Sequence, residues 1–259
     1  MIDVRVPPAP RALLAGRVAV VTASAGSGIG FATARRFALE GAAVMLSDRH
    51  ERRLAESLDT LRAEVDTPVS AFRCDVTDVA QIEALYDATE RELGPIDVAF
   101  NNAGLGGRRL LVDMTDDEWQ RVLDISLFSV FRCTRSLLRR MMPRRRGAIV
   151  NIASVTGWRA EAEQCHYGAA KAGVMALTRC AAMEAAPHGI RINAVAPTIT
   201  IHDNLARAVG DDVVQAWAAH QAQGRAAETW EVASVVTFLA SDLSSYLTGE
   251  VVSVSAQHS

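Results

Sequence analysis

The chain has 259 residues, of which 49% are hydrophobic and 22% are charged, and its formal net charge is -3. A chain of this length buries about 70 to 75% of its unfolded surface, as soluble globular proteins do. The charge excludes the concentrated basic face that nucleic acid or an anionic membrane surface requires, so neither partner is expected. Small-molecule chemistry is the class of function that remains.

Neither a targeting segment nor a metal site is predicted. The first residues, MIDVRVPPAPRALLAG, include an acid and three prolines and lack the apolar core of a signal peptide. No later apolar run reaches the ~18 residues of a membrane span. The cysteines have no metal-type spacing and are too few for a disulfide scaffold: Cys74, Cys133, Cys165 and Cys180. We expect a reduced, cytoplasmic protein.

Short apolar runs with the length and β-branching of buried parallel strands recur along the chain. They begin at Arg17, Ala42, Val69, Ile96, Ala148, Ile190 and Glu250. Segments with helical spacing of apolar residues separate them, including residues 118–142 and 167–184. This alternation predicts an α/β fold over residues 16–259: one doubly wound, Rossmann-type domain with a seven-stranded parallel sheet and helices on both faces. Residues 1–15 are predicted to form a loose N-terminal arm.

The first predicted strand leads into a glycine-rich loop, VTASAGSGIG, that precedes a segment of helical composition. Backbone N–H groups in such a loop, and at the helix N-terminus, can hold a phosphate. The spacing of Gly26, Gly28 and Gly30 departs from the common G-x-G-x-x-G pattern. The loop alone is therefore equally consistent with a tight turn that binds no phosphate. Twenty residues past Gly28, Asp48 ends the second strand, where an acid can hydrogen-bond the adenosine ribose. Together the two features predict a dinucleotide site.

Asp48 also bears on the choice of dinucleotide. A 2′-phosphate held ~4 Å from this carboxylate would be repelled by roughly 4 kcal/mol per unit charge pair at an effective dielectric near 20. Arg49 could offset part of that repulsion only if it swung in while Asp48 swung out. NAD is therefore predicted over NADP. An Asp48 that only caps the following helix would carry no such preference.

Ser154 follows the fifth predicted strand, and Tyr167 and Lys171 come after it with i, i+4 spacing, which places both on one helix face. Tyrosine has a pKa near 10, and an ammonium within ~4 to 5 Å would lower it by about two to three pH units. We predict that Tyr167 is the acid/base, that Lys171 lowers its pKa, and that Ser154 orients the substrate oxygen. An isolated Y-x-x-x-K is usually a surface pair. Here the motif follows a nucleotide loop and a strand end, so we interpret it as catalytic.

These motifs resemble those of the short-chain dehydrogenase/reductase family from about Gly16 to Ser255. Further family motifs recur in order as C-D-V-T-D around Asp75, N-N-A-G ending at Gly104, N-A-V-A-P ending at Pro197 and L-T-G-E near Gly249. The resemblance implies an oxidoreductase that interconverts a secondary alcohol and a ketone by hydride transfer with a nicotinamide cofactor. The predicted cofactor-binding residues are Thr22, Ser24, Gly26, Ser27, Gly28, Ile29, Gly30, Asp48, Arg49, Asp75, Val76, Asn102, Ala103, Gly104, Tyr167, Lys171, Pro197 and Ile199.

Some positions depart from the family pattern. The glycine loop is one residue longer than in the family, and we expect Gly26 to relieve the altered turn. Ser126 stands where the family often has an asparagine whose backbone carbonyl holds a water of the proton relay, and it is predicted as the fourth catalytic position. These departures leave one alternative from another class of function, a nucleotide-binding sensor or scaffold with weak catalysis.

Substrate contacts are expected after Gly104, Ser154 and Pro197, at Gly106, Arg108, Arg109, Trp158, Arg159 and His202. The three arginines lie on the predicted cofactor side of the sheet. One or more of them is predicted to receive an anionic group such as a coenzyme A phosphate. Ordinary surface pairing with nearby acids is an equally open interpretation.

Sequence details such as G-W-R-A and the ending T-G-E-V-V-S-V-S-A-Q resemble an actinobacterial branch of the family associated with steroid ring degradation. In that branch a hydroxylated bicyclic acyl-CoA is oxidised. A 3-oxoacyl-thioester reductase acting on acyl carrier protein or CoA substrates with NADPH is the alternative within the enzyme class. The family resemblance also implies a homotetramer.

Overall fold

The computed structural model describes residues 6–201, 216 and 218–256. Within them the strands are β1 Val18–Thr22, β2 Ala43–Asp48, β3 Val69–Arg73, β4 Val98–Asn101, β5 Gly147–Ile152, β6 Ile190–Pro197, β7 Thr200–Ile201, β8 Ala227–Glu228 and β9 Val251–Val254. Seven of these form one parallel sheet in the order β3-β2-β1-β4-β5-β6-β9. The short strands β7 and β8 pair with each other.

Helices cover both faces of the large sheet. They are α1 Ile29–Leu39, α2 Glu51–Arg62, α3 Val79–Glu92, α4 Asp116–Leu123, α5 Ser129–Arg144, α6 Cys165–Ala185 and α7 Thr229–Ala240, and a π-helical turn, Asp124–Phe128, joins α4 to α5. Phe37, Leu54 and Val236 bring α1, α2 and α7 to one face, and Leu85 and Leu137 bring α3 and α5 to the other. The predicted doubly wound α/β fold is confirmed.

The strand sequences explain why the sheet lies in the middle. β1, VAVVT, is buried at every position, as expected for a parallel strand covered by helices on both faces. β1 pairs with β2 on one side and with β4 on the other, so the chain order reverses there. The crevice at the carboxyl ends of β1 and β4 is where open parallel sheets bind their ligands.

The N-terminal arm is held in place over its described part. Leu14 is 1% exposed. The buried Glu40 at the end of α1 accepts hydrogen bonds from the backbone N–H groups of Arg11, at 2.8 Å, and Leu13, at 3.0 Å, and it pairs with Arg36. Burial alone would raise the pKa of Glu40, but these donors lower it. The prediction of a loose arm therefore does not hold for residues 11–14, because a buried carboxylate requires such donors, and it stays a prediction for the other arm residues.

Among the described residues, no helix combines the length and the apolar character that crossing a membrane requires. In the same part of the chain, no group of three or more His, Cys, Asp and Glu side chains is arranged to hold a metal ion.

Candidate active site

The loop between β1 and α1 follows an unusual backbone path. Ala23 has a φ of +49° and Gly26 a φ of +89°. The left-handed region costs a residue with a Cβ about 1 kcal/mol, so Ala23 carries some strain and Gly26 does not. The expectation that Gly26 relieves the longer turn agrees with this conformation.

Buried polar side chains anchor the loop to the neighbouring strands. Ser24 is fully buried, and its Oγ accepts a hydrogen bond from Ser47 N at 2.9 Å in β2. Thr22 Oγ1 accepts from Asn102 N at 2.9 Å, and Asn102 Nδ2 donates to Ala23 O at 3.0 Å. The Ser24 side chain faces β2, so the predicted contact of Ser24 with the cofactor, which stays a prediction, would have to come from its backbone. The Thr22 side chain also supports the loop, because it binds Asn102, which in turn binds Ala23 O.

The start of α1 is open toward the crevice and closed behind it. A Cβ on Gly30 would lie 2.3 Å from Ala23 O and 2.5 Å from Asn102 Nδ2, so only glycine fits. Gly28, the N-cap of α1, has a φ of -79°, and a Cβ there would meet nothing within 4 Å. Gly28, Ile29 and Gly30 line open space at the start of α1, where a phosphate could reach the first N–H groups of the helix.

A cleft of about 820 Å³ runs along the carboxyl edge of the sheet from this loop. Many predicted cofactor residues line it: Gly28, Ile29, Gly30, Asp48, Arg49, Asp75, Val76, Asn102, Ala103, Gly104, Tyr167 and Lys171. Gly26 and Ser27 are not among its lining residues. Carboxylates at one end, a helix N-terminus in the middle and a Tyr–Lys pair at the other end fit an adenine dinucleotide. His50 and Arg53 also line the cleft, and no motif had marked them.

Both acids at the adenosine end are fixed by hydrogen bonds. Asp48 Oδ1 accepts from His50 N at 2.9 Å, and Oδ2 accepts from Ala25 N at 3.3 Å. Burial alone would raise the pKa of Asp75, but two hydrogen bonds from Thr77 lower it. Asp75 is therefore ionised at neutral pH.

Lys171 lies in the interior below the Tyr167 ring. It is 1% exposed, and its Nζ donates to Ile152 O at 2.9 Å, at the end of β5. The same nitrogen lies 5.5 Å from the centroid of the Tyr167 ring. Burial lowers the pKa of Lys171 to about 7. The predicted pair on one face of α6 is thus present.

The pKa of Tyr167 differs from the prediction. Burial raises it above the ordinary value of 10.0, and hydrogen bonding with Ser154 opposes the rise. The expectation that Lys171 brings this pKa down is wrong for this geometry, because Lys171 is itself desolvated and directs its ammonium to Ile152 O. At neutral pH Tyr167 is therefore a phenol, which is the form that donates a proton.

Ser126 lies within the π-helical turn Asp124–Phe128 and is fully buried. Its Oγ accepts from Leu105 N and donates to Leu105 O, both at 2.8 Å. A Cβ on Gly104 would lie 3.4 Å from Lys171 Nζ and 3.9 Å from Ser126 Oγ, so the three positions are close together. The side chain of Ser126 holds the loop after N-N-A-G in place, and π-helical turns often occur at functional sites.

That loop packs against the catalytic helix. A Cβ on Gly106 would lie 3.6 Å from Tyr167 Cδ2. Arg108 pairs with Glu163 at 2.7 Å and with Glu161 at 3.0 Å. Arg109 pairs with Glu118 at 2.9 Å. For Arg108 and Arg109 the structure thus shows the pairing with nearby acids that the sequence had left open.

A second cleft of about 670 Å³ opens on the other side of Tyr167. Its described lining includes Ser154, Thr156, Arg159, Glu161, Tyr167, Pro197, Ile199 and Gln221. Ile29, Ile152, Gln164 and Tyr167 line both clefts, so Tyr167 lies where they meet. Of the predicted substrate residues, Arg159 lines this cleft, whereas Trp158, which is 50% exposed, and Arg109 line neither. His202 lies outside the described residues.

The comparisons with known proteins agree with this architecture. The adh_short_C2 family model, described as enoyl-(acyl carrier protein) reductase, matches residues 23–256. A Mycobacterium tuberculosis protein named (5R,7aS)-5-hydroxy-7a-methyl-1-oxo-2,3,5,6,7,7a-hexahydro-1H-indene-carboxyl-CoA reductase is 59% identical over 95% of this chain and 94% of its own. The chain belongs to the short-chain dehydrogenase/reductase family.

Other members extend the likeness. A 3-oxoacyl-[acyl-carrier-protein] reductase of Salmonella typhimurium is 38% identical over 92% of this chain and 96% of its own. A crystal structure of a short chain dehydrogenase from Mycobacterium smegmatis, 52% identical, matches 98% of both chains with a TM-score of 0.88. This short-chain dehydrogenase/reductase is thus an oxidoreductase that uses a nicotinamide cofactor.

The two loop glycines give a prediction that separates folding from cofactor binding. Gly30→Ala forces a Cβ onto Ala23 O, so we expect a loss of stability of about 2 to 4 kcal/mol in chemical denaturation. Gly28→Ala, whose Cβ meets no protein atom, should keep wild-type stability and bind NADH at least about tenfold more weakly, measured by fluorescence. Equal stability of the two variants would contradict the close approach of α1 to the loop.

Proposed function

We propose that this dehydrogenase interconverts a secondary alcohol and a ketone on a hydroxylated bicyclic acyl-CoA of steroid origin, with NAD as cofactor. The observation that carries the chemistry is the position of Tyr167, where the two clefts meet, beside Ser154 and above Lys171. The substrate class is taken from the Mycobacterium tuberculosis relative, whose name specifies a hydroxylated indene-carboxyl-CoA.

Each side chain around Tyr167 has a separate role in the proposed reaction. A bound nicotinamide ring would supply or accept the hydride. Tyr167 Oη gives a proton to the substrate oxygen in reduction and takes one from it in oxidation. Ser154, which lines the same cleft as Tyr167, donates a hydrogen bond to the substrate oxygen and lowers the pKa of the phenol. Lys171 donates to Ile152 O at the floor of the site, and its Nζ lies 5.5 Å from the centroid of the Tyr167 ring, which places it against the face of the ring.

Removal of the Tyr167 hydroxyl should abolish turnover without loss of the cofactor. We expect Tyr167→Phe to lower kcat/KM for the alcohol by about 10²- to 10⁴-fold, the usual contribution of an acid/base group. NADH binding, measured by fluorescence, should change less than about twofold because the ring remains in place. Tyr246→Phe, at a side chain that is 99% exposed, is the matched control. Full activity of Tyr167→Phe would favour other chemistry, and an inactive wild type that binds NADH would favour the sensor or scaffold.

The cleft of about 820 Å³ is here called the cofactor cleft. NAD is proposed because Asp48 presents a carboxylate at its adenosine end, held there by Ala25 N and His50 N. A 2′-phosphate at this position would be repelled.

We expect kcat/KM with NAD to exceed that with NADP by at least about tenfold. Asp48→Ala should reduce this ratio of the two kcat/KM values, because Arg49 and Arg53 remain in the cleft. Comparable kcat/KM for the two cofactors in the wild type would show that Asp48 does not face the ribose, and a preference for NADPH would favour a 3-oxoacyl-thioester reductase.

A CoA thioester is the proposed form of the substrate. The second cleft, of about 670 Å³, is here called the substrate cleft, and Arg159 lines it. Arg108 lines the cofactor cleft beside Tyr167. Arg108 is half-exposed in its pairs with Glu161 and Glu163, so a phosphate could replace those carboxylates.

Substitution of these arginines should raise KM for the acyl-CoA more than KM for a small alcohol. We expect Arg108→Ala with Arg159→Ala to raise KM for a hydroxyacyl-CoA about 10- to 100-fold and to leave KM for a small neutral alcohol nearly unchanged. Arg146→Ala, beside Asp97 just before β5, is the control at the opposite edge of the sheet. Equal changes in KM for both substrates would remove the proposed phosphate contact.

We further propose that the chain acts as a homotetramer in the cytoplasm. Phe131 and Met183 on α5 and α6 are 42% and 78% exposed, and Leu243 near β9 is 64% exposed. Such surfaces commonly pack against other copies of a chain. A mass of one chain in light scattering would contradict this assembly.

A further inference from the structure

Thr156 lies two residues after Ser154, in the short 3₁₀ turn Val155–Gly157, and it lines the substrate cleft. Its backbone N–H donates to Ser154 Oγ at 3.2 Å. Its own hydroxyl oxygen lies 2.8 Å from the same Ser154 oxygen. Thr156 therefore reaches Ser154 Oγ with two polar atoms, although no motif marks it as part of the site.

The geometry limits what Ser154 can do with its proton. A serine hydroxyl has two acceptor positions and one proton to donate. The N–H of Thr156 fills one acceptor position, and the contact between the two hydroxyls can run in either direction. If Thr156 donates, both acceptor positions of Ser154 are filled and the Ser154 proton is left for another partner. If Ser154 donates, Thr156 holds that proton.

The reacting oxygens decide between these directions. A ketone oxygen and a phenolate oxygen can only accept hydrogen bonds, so Ser154 must donate to serve either one. We propose that Thr156 is a positioning residue, which donates its hydroxyl proton to Ser154 Oγ and so directs the Ser154 proton toward the Tyr167 oxygen and the substrate oxygen. The inference rests on the proposed function for the substrate oxygen, whereas the placing of Ser154, Thr156 and Tyr167 around one cleft is independent of it.

The surroundings of Tyr167 allow this direction to be measured. Burial raises the pKa of Tyr167, and hydrogen bonding with Ser154 lowers it. Among the described residues, the other charged or titratable groups near Tyr167 are Lys171 and His166 on the same helix, Arg159, Glu161 and His220 in the substrate cleft, and Arg108 in the cofactor cleft. A change of Thr156 to an apolar residue of the same shape leaves all of them in place. The pKa of Tyr167 therefore reports the orientation of Ser154.

Thr156→Val removes the hydroxyl and keeps the shape and the backbone N–H. We expect kcat/KM for the alcohol to fall about three- to tenfold and the apparent pKa of the base in its pH profile to rise by about half to one pH unit, the effect of one hydrogen bond. Thr156→Ser keeps the hydroxyl and should restore both values. Thr60→Val, at an exposed position of α2, is the matched control and should leave both values unchanged.

A titration of tyrosinate absorbance gives the same pKa without turnover. The chain has three tyrosines, so the difference between each protein and its Tyr167→Phe counterpart isolates Tyr167 from Tyr86 and Tyr246. A wild type that oxidises no alcohol would contradict the proposed function, and the titration would still test Thr156. An unchanged or lower Tyr167 pKa in Thr156→Val, or an unchanged or higher kcat/KM, would overturn the proposal, because Ser154 would then be the donor. Thr156→Ala, measured in the same way with the same outcomes, replaces the valine variant if that variant does not fold.

Discussion

A buried lysine holds the catalytic end of the molecule together. Lys171 Nζ donates to Ile152 O at the last residue of β5, and so it ties α6 to the edge of the sheet where the two clefts meet. A lysine 1% exposed is costly unless its charge is lost or paired, and here burial lowers its pKa to about 7. The position of Tyr167, one helical turn before Lys171, depends on this contact.

A buried polar network supports the same region from below. Asn101, the last residue of β4, donates to Asn151 Oδ1 at 2.9 Å, and Asn151 donates to Thr178 Oγ1 of α6 at 3.0 Å. Asn101 also lies 3.3 Å from Thr134 Oγ1 of α5. Two neighbouring strands and two helices are thereby connected by side chains with satisfied partners. A fully satisfied network of this kind fixes one arrangement of the helices, which a purely apolar core would define less sharply.

The sequence predicted the fold because its strands are short apolar runs with clear ends, as in β1, and because helical spacing fills the gaps between them. It also predicted the meeting of Tyr167, Lys171 and Ser154, since i, i+4 spacing and the carboxyl ends of parallel strands are local rules. It failed where partners are distant along the chain. No pattern indicated that the Ser24 side chain bonds Ser47, or that Glu40 holds the arm through Arg11 and Leu13. Such tertiary partners have no local pattern.

The titration of the active site is the clearest case of such a tertiary effect. Coulomb attraction alone predicts a low pKa for Tyr167 beside an ammonium, whereas burial raises the pKa of Tyr167 and lowers that of Lys171. A phenol with a neutral amine and a phenolate with an ammonium contain the same number of protons, so the pair can change from one form to the other without net proton exchange with solvent. Burial favours the neutral form, and any group that stabilises the phenolate, as hydrogen bonding with Ser154 does, shifts the balance toward the form that accepts a proton from an alcohol.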